Sequence, residues 1–240
     1  MRLYVALLMA VVVWMLIFVK RRSKCPGIVT AHVINMDKSV ERLAEIRAEG
    51  AAAGIELTRW PGVDGTKLTS AECNEQKISK LIYRHIINIK RPGVLGCFLA
   101  QRGLLRHLRT VRCGDEDAHL IFEDDAHIPA DFWKQWDEVC RDLPPDWDIV
   151  QVGATHPNLK KLKGRVHVHL NARGNVGMFA YIVRHSALEK ICKHAEYMYD
   201  PLDNMISDKY KEWKIYIVWP QICPHNDHGI STINGDSKKG

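Results

Sequence analysis

The chain has no CxxC pair, although it holds seven cysteines: Cys25, Cys73, Cys97, Cys113, Cys140, Cys192 and Cys223. The missing pair speaks against a zinc ribbon, and the odd count against a framework in which every cysteine is bridged. One or two bridges remain open to a lumenal domain. Where cysteines fall in apolar helical patterns, a buried free thiol is the default. There is also no internal repeat and no low-complexity tract, which removes solenoids and fibrous arrays from consideration.

Excess charge is scarce where a nucleic-acid binder would need it. The formal net charge is +6, but residues 1–25 hold five basic residues (Arg2, Lys20, Arg21, Arg22, Lys24) and no acid. That leaves 29 basic against 28 acidic residues for the rest, so the charge describes a flank and no nucleic-acid partner is expected. A local basic cluster, Lys160, Lys161, Lys163 and Arg165, reads either as a solvated loop or as a contact for an anionic substrate or lipid headgroup.

Charge is wholly absent from "LYVALLMAVVVWMLIFV", residues 3–19. At about 1.5 Å per residue a helix of that length spans a bilayer core of about 30 Å. A cleaved signal peptide would have a shorter apolar region and a small-residue cleavage site, whereas "VKRRSK" follows here, so a retained single-pass anchor is expected. The basic flank after the span predicts a cytosolic main domain, with a lumenal domain as the alternative. Residues 1–25 form the anchor and flank, and residues 26–240 a single domain.

That domain alternates. "IVTAHVINM" reads as a strand and "SVERLAEIRAEGAAAG" as a helix capped by Ser39 and stopped by Gly54; "IELTRW" follows as a strand and "PGVDG" as a turn. Thr69 and Glu72 have capping-box spacing. A helix over residues 95–112, a strand ending in "FEDD", a helix near 131–142, and strands "DWDIVQVG", "VHVHL", "MFAYIV" and "KIYIVW" complete the pattern, with "SALEKICKHAEYM" as a further helix. The fold class is α/β with a Rossmann-like mixed sheet. His167 and His169 alternate with valines and are expected on one titratable, exposed strand face. Trp133 and Trp136, at helical spacing beside Phe132, read as core or as a sugar-stacking pair.

The chemistry concentrates in "HLIFEDDAHI", where an apolar strand breaks into Glu123, Asp124 and Asp125. Ligands of open α/β sheets gather at the carboxyl ends of strands. In an extended segment Glu123 and Asp125 share a face. Oxygen ligands without paired Cys or His suit Mn²⁺ or Mg²⁺ better than Zn²⁺, and such an ion would relieve the repulsion among the three charges. A solvated acidic loop is the alternative.

The chain resembles glycosyltransferase family 25, which includes lipopolysaccharide and procollagen galactosyltransferases. The resemblance lies in "VINMDKSVERLAEI", "WPGVDG", "GVLGCFLAQRGLL", "HLIFEDDAHI", "GMFAYIVRHSALEKI", "DPLDNMI" and "HNDHGISTI", in that order over residues 29–233. Two positions depart from the family pattern. Ala100 and Gln101 stand where a Ser-His pair is usual, and His225 stands near a usual Gln. The resemblance implies a GT-A-like domain and inverting transfer of a hexose, commonly galactose, from a UDP-sugar to a saccharide or hydroxylysine hydroxyl. It implies that Glu123, Asp124 and Asp125 hold Mn²⁺ or Mg²⁺, and that Asn35, Asp37, Arg42, Asp64 and Gly65 line the nucleotide end. The expected catalytic base is Asp203 in "DPLDN", with Asp200 as fallback; capping of the helix after Pro201 is the plainer role. His225, Asp227 and His228 could offer a late metal or phosphate contact. Two rival functions are a membrane-anchored, inactive binding protein of the same fold and a metal-dependent phosphohydrolase. The second expects more histidines near the acidic strand than His119 and His127 supply.

Overall fold

The computed structural model describes residues 25–155, 158–171 and 176–226. The expected membrane span at residues 3–19 lies outside them, as do Asp227 and His228. Among the described residues no helix is long and apolar enough to cross a membrane.

The chain forms an α/β domain around one eight-stranded mixed sheet. The strands are β1 (Ile28–Asn35), β2 (Thr58–Pro61), β3 (Ala118–Glu123), β4 (Ile149–Thr155), β5 (Leu159–Lys163), β6 (Val166–His169), β7 (Val176–Arg184) and β8 (Ile215–Val218). Their spatial order is β2-β1-β3-β7-β4-β8-β6-β5. β1 runs parallel to β2 and β3, whereas β7 is antiparallel to both β3 and β4. The ends of β1 and β3 and the beginning of β7 therefore lie along one edge.

Helices cover both faces, as the unbroken apolar run of β3 requires. Leu120 and Phe122 of β3 pack with α1 (Val40–Ala52) and α5 (Phe132–Cys140) on one side. Ile121 points the other way, into a core with α4 (Gly93–Leu108) and α6 (Leu188–His194). The period of two in a strand produces this division. Three further helices complete the second layer: α2 (Ser70–Glu75), α3 (Lys80–Asn88) and α7 (Leu202–Ser207). α2 begins with the expected capping box between Thr69 and Glu72.

Cys25 and Cys140 form a disulfide with 5.5 Å between their Cα atoms. It ties the chain just before β1 to the end of α5. Cys73, Cys192 and Cys223 are buried free thiols. The basic cluster belongs to the hairpin β5–β6 and not to a loop, and it lies at the sheet's edge, where lysines discourage pairing with another strand. His167 is partly exposed, but His169 is 5% exposed and neither of its ring nitrogens has a partner, so the expected exposed titratable face is wrong at that position. Trp136 belongs to the core, whereas Trp133 is 38% exposed.

Candidate functional site

The strand order fixes where a ligand can lie. A cleft of about 250 Å³ opens beyond the carboxyl ends of β1 and β3. Asn35, Lys38, Asp64, Gly65 and all three acidic residues contribute to its walls. A second cleft, of about 230 Å³, is lined by Arg91, Gln101, Gly177, Asp203 and Asn204, among others. Cys97 and Glu123 line both, so the two volumes meet at the end of β3.

The three carboxylates line one cleft but have different partners. β3 ends at Glu123, and Asp124 and Asp125 form a turn closed by the amide of Ala126 donating to the Glu123 carbonyl. The extended geometry that would set Glu123 beside Asp125 therefore stops one residue too early. Each side chain goes to a different partner. Asp124 Oδ2 accepts from Asn35 Nδ2 at 2.7 Å, and its Oδ1 from Arg42 at 3.3 Å. Glu123 Oε1 accepts from Gln101 Nε2 at 2.6 Å and from the Cys97 thiol at 3.4 Å. Asp125 Oδ2 lies 3.2 Å from His225 Nε2. Separate partners offset part of the repulsion, and Asp125 still acts on both of its neighbours.

Protonation completes the account. Burial, and after it the charge of Asp125, pushes the Glu123 carboxyl up to about 8. Burial also raises Asp124, while Asn35 and Arg42 hold it back. Gln101 is itself anchored, since the Tyr181 hydroxyl donates to its Oε1 at 3.1 Å. Gln101, 3% exposed, thus connects α4, β3 and β7 through one polar chain.

Residues expected at the nucleotide end separate into two groups. Asn35, Asp64 and Gly65 line the first cleft. Arg42 reaches Asp124, and its role is to hold that carboxylate. Asp37 is outside the cleft wall: its side chain is 89% exposed and ion-paired with Arg59. Arg59 had no motif to mark it, yet it grips Asn35 through Nε to the side chain at 3.1 Å and through Nη2 to the carbonyl at 3.0 Å. Asp64 accepts from the amide and hydroxyl of Thr66, which lowers its carboxyl. Gly65 serves close packing: a Cβ there would lie 1.9 Å from the Pro92 carbonyl oxygen. Gly96 answers it across the contact, where a Cβ would lie 2.0 Å from the Val63 oxygen. The pair presses the loop onto the start of α4.

Asp203 sits in the first turn of α7 and lines the second cleft. Its Oδ2 accepts from the Gly177 amide at 2.8 Å and its Oδ1 from the Asn204 amide at 2.9 Å. Burial raises its carboxyl, and those amides limit the rise. Asp200 accepts from the Asn204 side chain at 3.0 Å.

The described part of the tail docks beside the acidic turn. Ala126 and His225 form a β-bridge, His127 donates its amide to Pro224, and Asn226 donates to the Asp125 carbonyl at 2.7 Å. Glu49 of α1 braces the same turn through His127 and the Ile128 amide, both at 2.8 Å.

Whether these residues suit a divalent cation can be judged atom by atom. Asp125 Oδ1 is buried and has no hydrogen-bond partner. An orphaned carboxylate oxygen is a donor of the kind that hard cations such as Mn²⁺ and Mg²⁺ take, whereas the His225 ring nitrogen is already engaged with Asp125 Oδ2. Asn35 and Arg42 each hold one Asp124 oxygen, and an oxygen that accepts one hydrogen bond keeps a second lone pair. Glu123 has one oxygen held by Gln101. Asp125 Oδ1 is the buried oxygen of the triplet without a hydrogen-bond partner, and all three residues line the cleft. A search of known protein families and of curated proteins finds no match for the chain.

Proposed function

We infer that the chain is a metal-dependent, inverting hexosyltransferase, moving a hexose such as galactose from a UDP-sugar to a hydroxyl of a saccharide or hydroxylysine acceptor. The observation that carries this reading is the meeting of two clefts at Glu123, with an unpartnered Asp125 oxygen in the wall of one and the buried carboxylate of Asp203 in the other. The resemblance to glycosyltransferase family 25 supplies the reaction class.

In this reading Asn35, Lys38 and the loop at Asp64–Gly65 hold the nucleotide, and Lys38 offers a cation to its phosphates. Asp125, with Glu123 and Asp124 in the same wall, would hold Mn²⁺ or Mg²⁺, which when bound neutralises the diphosphate leaving group. Asp203 removes the proton of the acceptor hydroxyl as that oxygen bonds to the anomeric carbon and the bond to UDP breaks. Inversion needs a base on the face opposite the leaving group, and a carboxyl raised by burial is a stronger base. The two amides on Asp203 fix its orientation.

The disulfide bears on location. Bridges persist on the oxidising side of a membrane and are rare in the cytosol. With residues 3–19 as a single-pass anchor, Cys25–Cys140 favours a lumenal or extracellular domain over the cytosolic one that the basic flank predicts.

The test is release of UDP from UDP-galactose with Mn²⁺, scored with and without saccharide and hydroxylysine peptide acceptors. Asp125→Asn is expected to abolish it with an unchanged circular dichroism spectrum. Gln101 in place of the family's His supports the rival reading, a binding protein without activity. UDP-galactose binding with no UDP release would establish that rival instead.

A further inference from the structure

The edge of the sheet opposite the clefts holds a second group of ligating side chains. Among the described residues, Cys113 Sγ, His119 Nε2 and His185 Nδ1 are donor atoms that all lie within 4.8 Å of one another. We propose that these three side chains form a zinc site that ties the loop entering β3 to the turn leaving β7.

The site is built from both sides. His119 is fully buried at the start of β3, beside Thr30 of β1. Its Nδ1 lies 2.8 Å from Thr30 Oγ1. When Nδ1–H donates to that hydroxyl, the Nε2 lone pair is left for a metal, the arrangement by which an outer partner orients a metal-bound imidazole. Facing this lone pair are His185 Nδ1 at 3.0 Å and Cys113 Sγ at 4.0 Å. Tetrahedral zinc has Zn–N of about 2.0–2.1 Å and Zn–S of about 2.3 Å, which puts nitrogens about 3.3 Å and nitrogen and sulfur about 3.6 Å apart. The two pairs that include His119 lie within a few tenths of an ångström of those separations, and Cys113 and His185, within 4.8 Å of each other, close by about 1.2 Å at most. The backbone already holds the two segments together: His185 donates its amide to the Asp117 carbonyl at 2.8 Å, and Ser186 to that of Asp115 at 3.2 Å.

One thiolate and two imidazoles select zinc over the hard cations suited to Asp125. Cys113 and His185 are both partly exposed, so an ion can enter and solvent can fill the fourth position. His119 and Glu123 stand at the two ends of β3, roughly 13 Å apart at strand rise. The ion would stand apart from both clefts, and the proposal is independent of the transferase reading.

Chelator-treated full-length protein in detergent would be titrated with Co²⁺ and then Zn²⁺. The expected result is one equivalent of Co²⁺ with a thiolate-to-cobalt charge-transfer band, displaced by Zn²⁺ and accompanied by a higher melting temperature. Cys113→Ser should abolish the band, His185→Asn should weaken binding at least tenfold, and Asp125→Asn should leave both unchanged. Absence of the band, or its persistence in Cys113→Ser, overturns the proposal; so does a melting temperature that Zn²⁺ does not raise.

Discussion

Gln101→Leu removes the amide that joins Glu123 to Tyr181 while nearly keeping its volume. Two groups lose a partner. The Tyr181 hydroxyl, on a residue 1% exposed, is left without the acceptor 3.1 Å away. Glu123 Oε1 loses its 2.6 Å donor and retains only the weak thiol of Cys97. A buried polar group stripped of its partner costs about 1–3 kcal/mol. The Glu123 penalty falls at the low end, because its raised pKa of about 8 leaves it able to stay neutral at pH 7. Together the losses predict destabilisation of about 2–4 kcal/mol. Tyr181→Phe alone should cost about 1 kcal/mol, and the double variant should cost less than the sum, because the hydroxyl orphaned by the first change is gone in the second. Urea unfolding followed by tryptophan fluorescence measures all three at constant slope. A Gln101→Leu cost below about 0.5 kcal/mol, strictly additive with Tyr181→Phe, would refute the bridging role.

Other expectations follow from the same geometry. Gly65→Ala forces a Cβ to within 1.9 Å of the Pro92 oxygen, so the loop must move; UDP affinity should fall at least tenfold by calorimetry. Burial lowers His169 from 6.5 to about 4. The unfolded chain then takes up a proton that the fold refuses, so stability present above pH 6.5 is lost as pH falls towards 4, by about 3 kcal/mol. His169→Phe should flatten that decline in denaturation curves taken across this range. Cys25→Ser opens a bridge across 115 residues of sequence, worth about 5 kcal/mol in the loop-entropy account. A melting temperature within a degree or two of the parent would contradict it.

The sequence shows the sheet clearly and the site only in part, and the acidic turn explains the difference. Strand and helix character is written locally: the run from Leu120 to Phe122, the capping box at Thr69, the glycine stop at residue 54. Periodicity and caps sufficed for those. α3 (Lys80–Asn88) is less legible, since Ser79 at its N-cap position makes no side-chain capping bond and no capping box accompanies it. The carboxylates carried a local pattern too, but their roles depend on what stands opposite. Gln101 lies 22 positions from Glu123, Asn35 lies 89 from Asp124, and His225 lies 100 from Asp125. None of those separations leaves a trace in a motif, and the one-residue difference between strand and turn at Glu123 sets which side each oxygen faces. Arg59 was invisible for the same reason, because its neighbour Asn35 becomes a neighbour only when β2 pairs with β1. A run of like charges at a strand end therefore reports that the fold supplies partners there. Which buried oxygen is left without a hydrogen-bond partner is decided by those neighbours, and in this triplet it is Asp125 Oδ1.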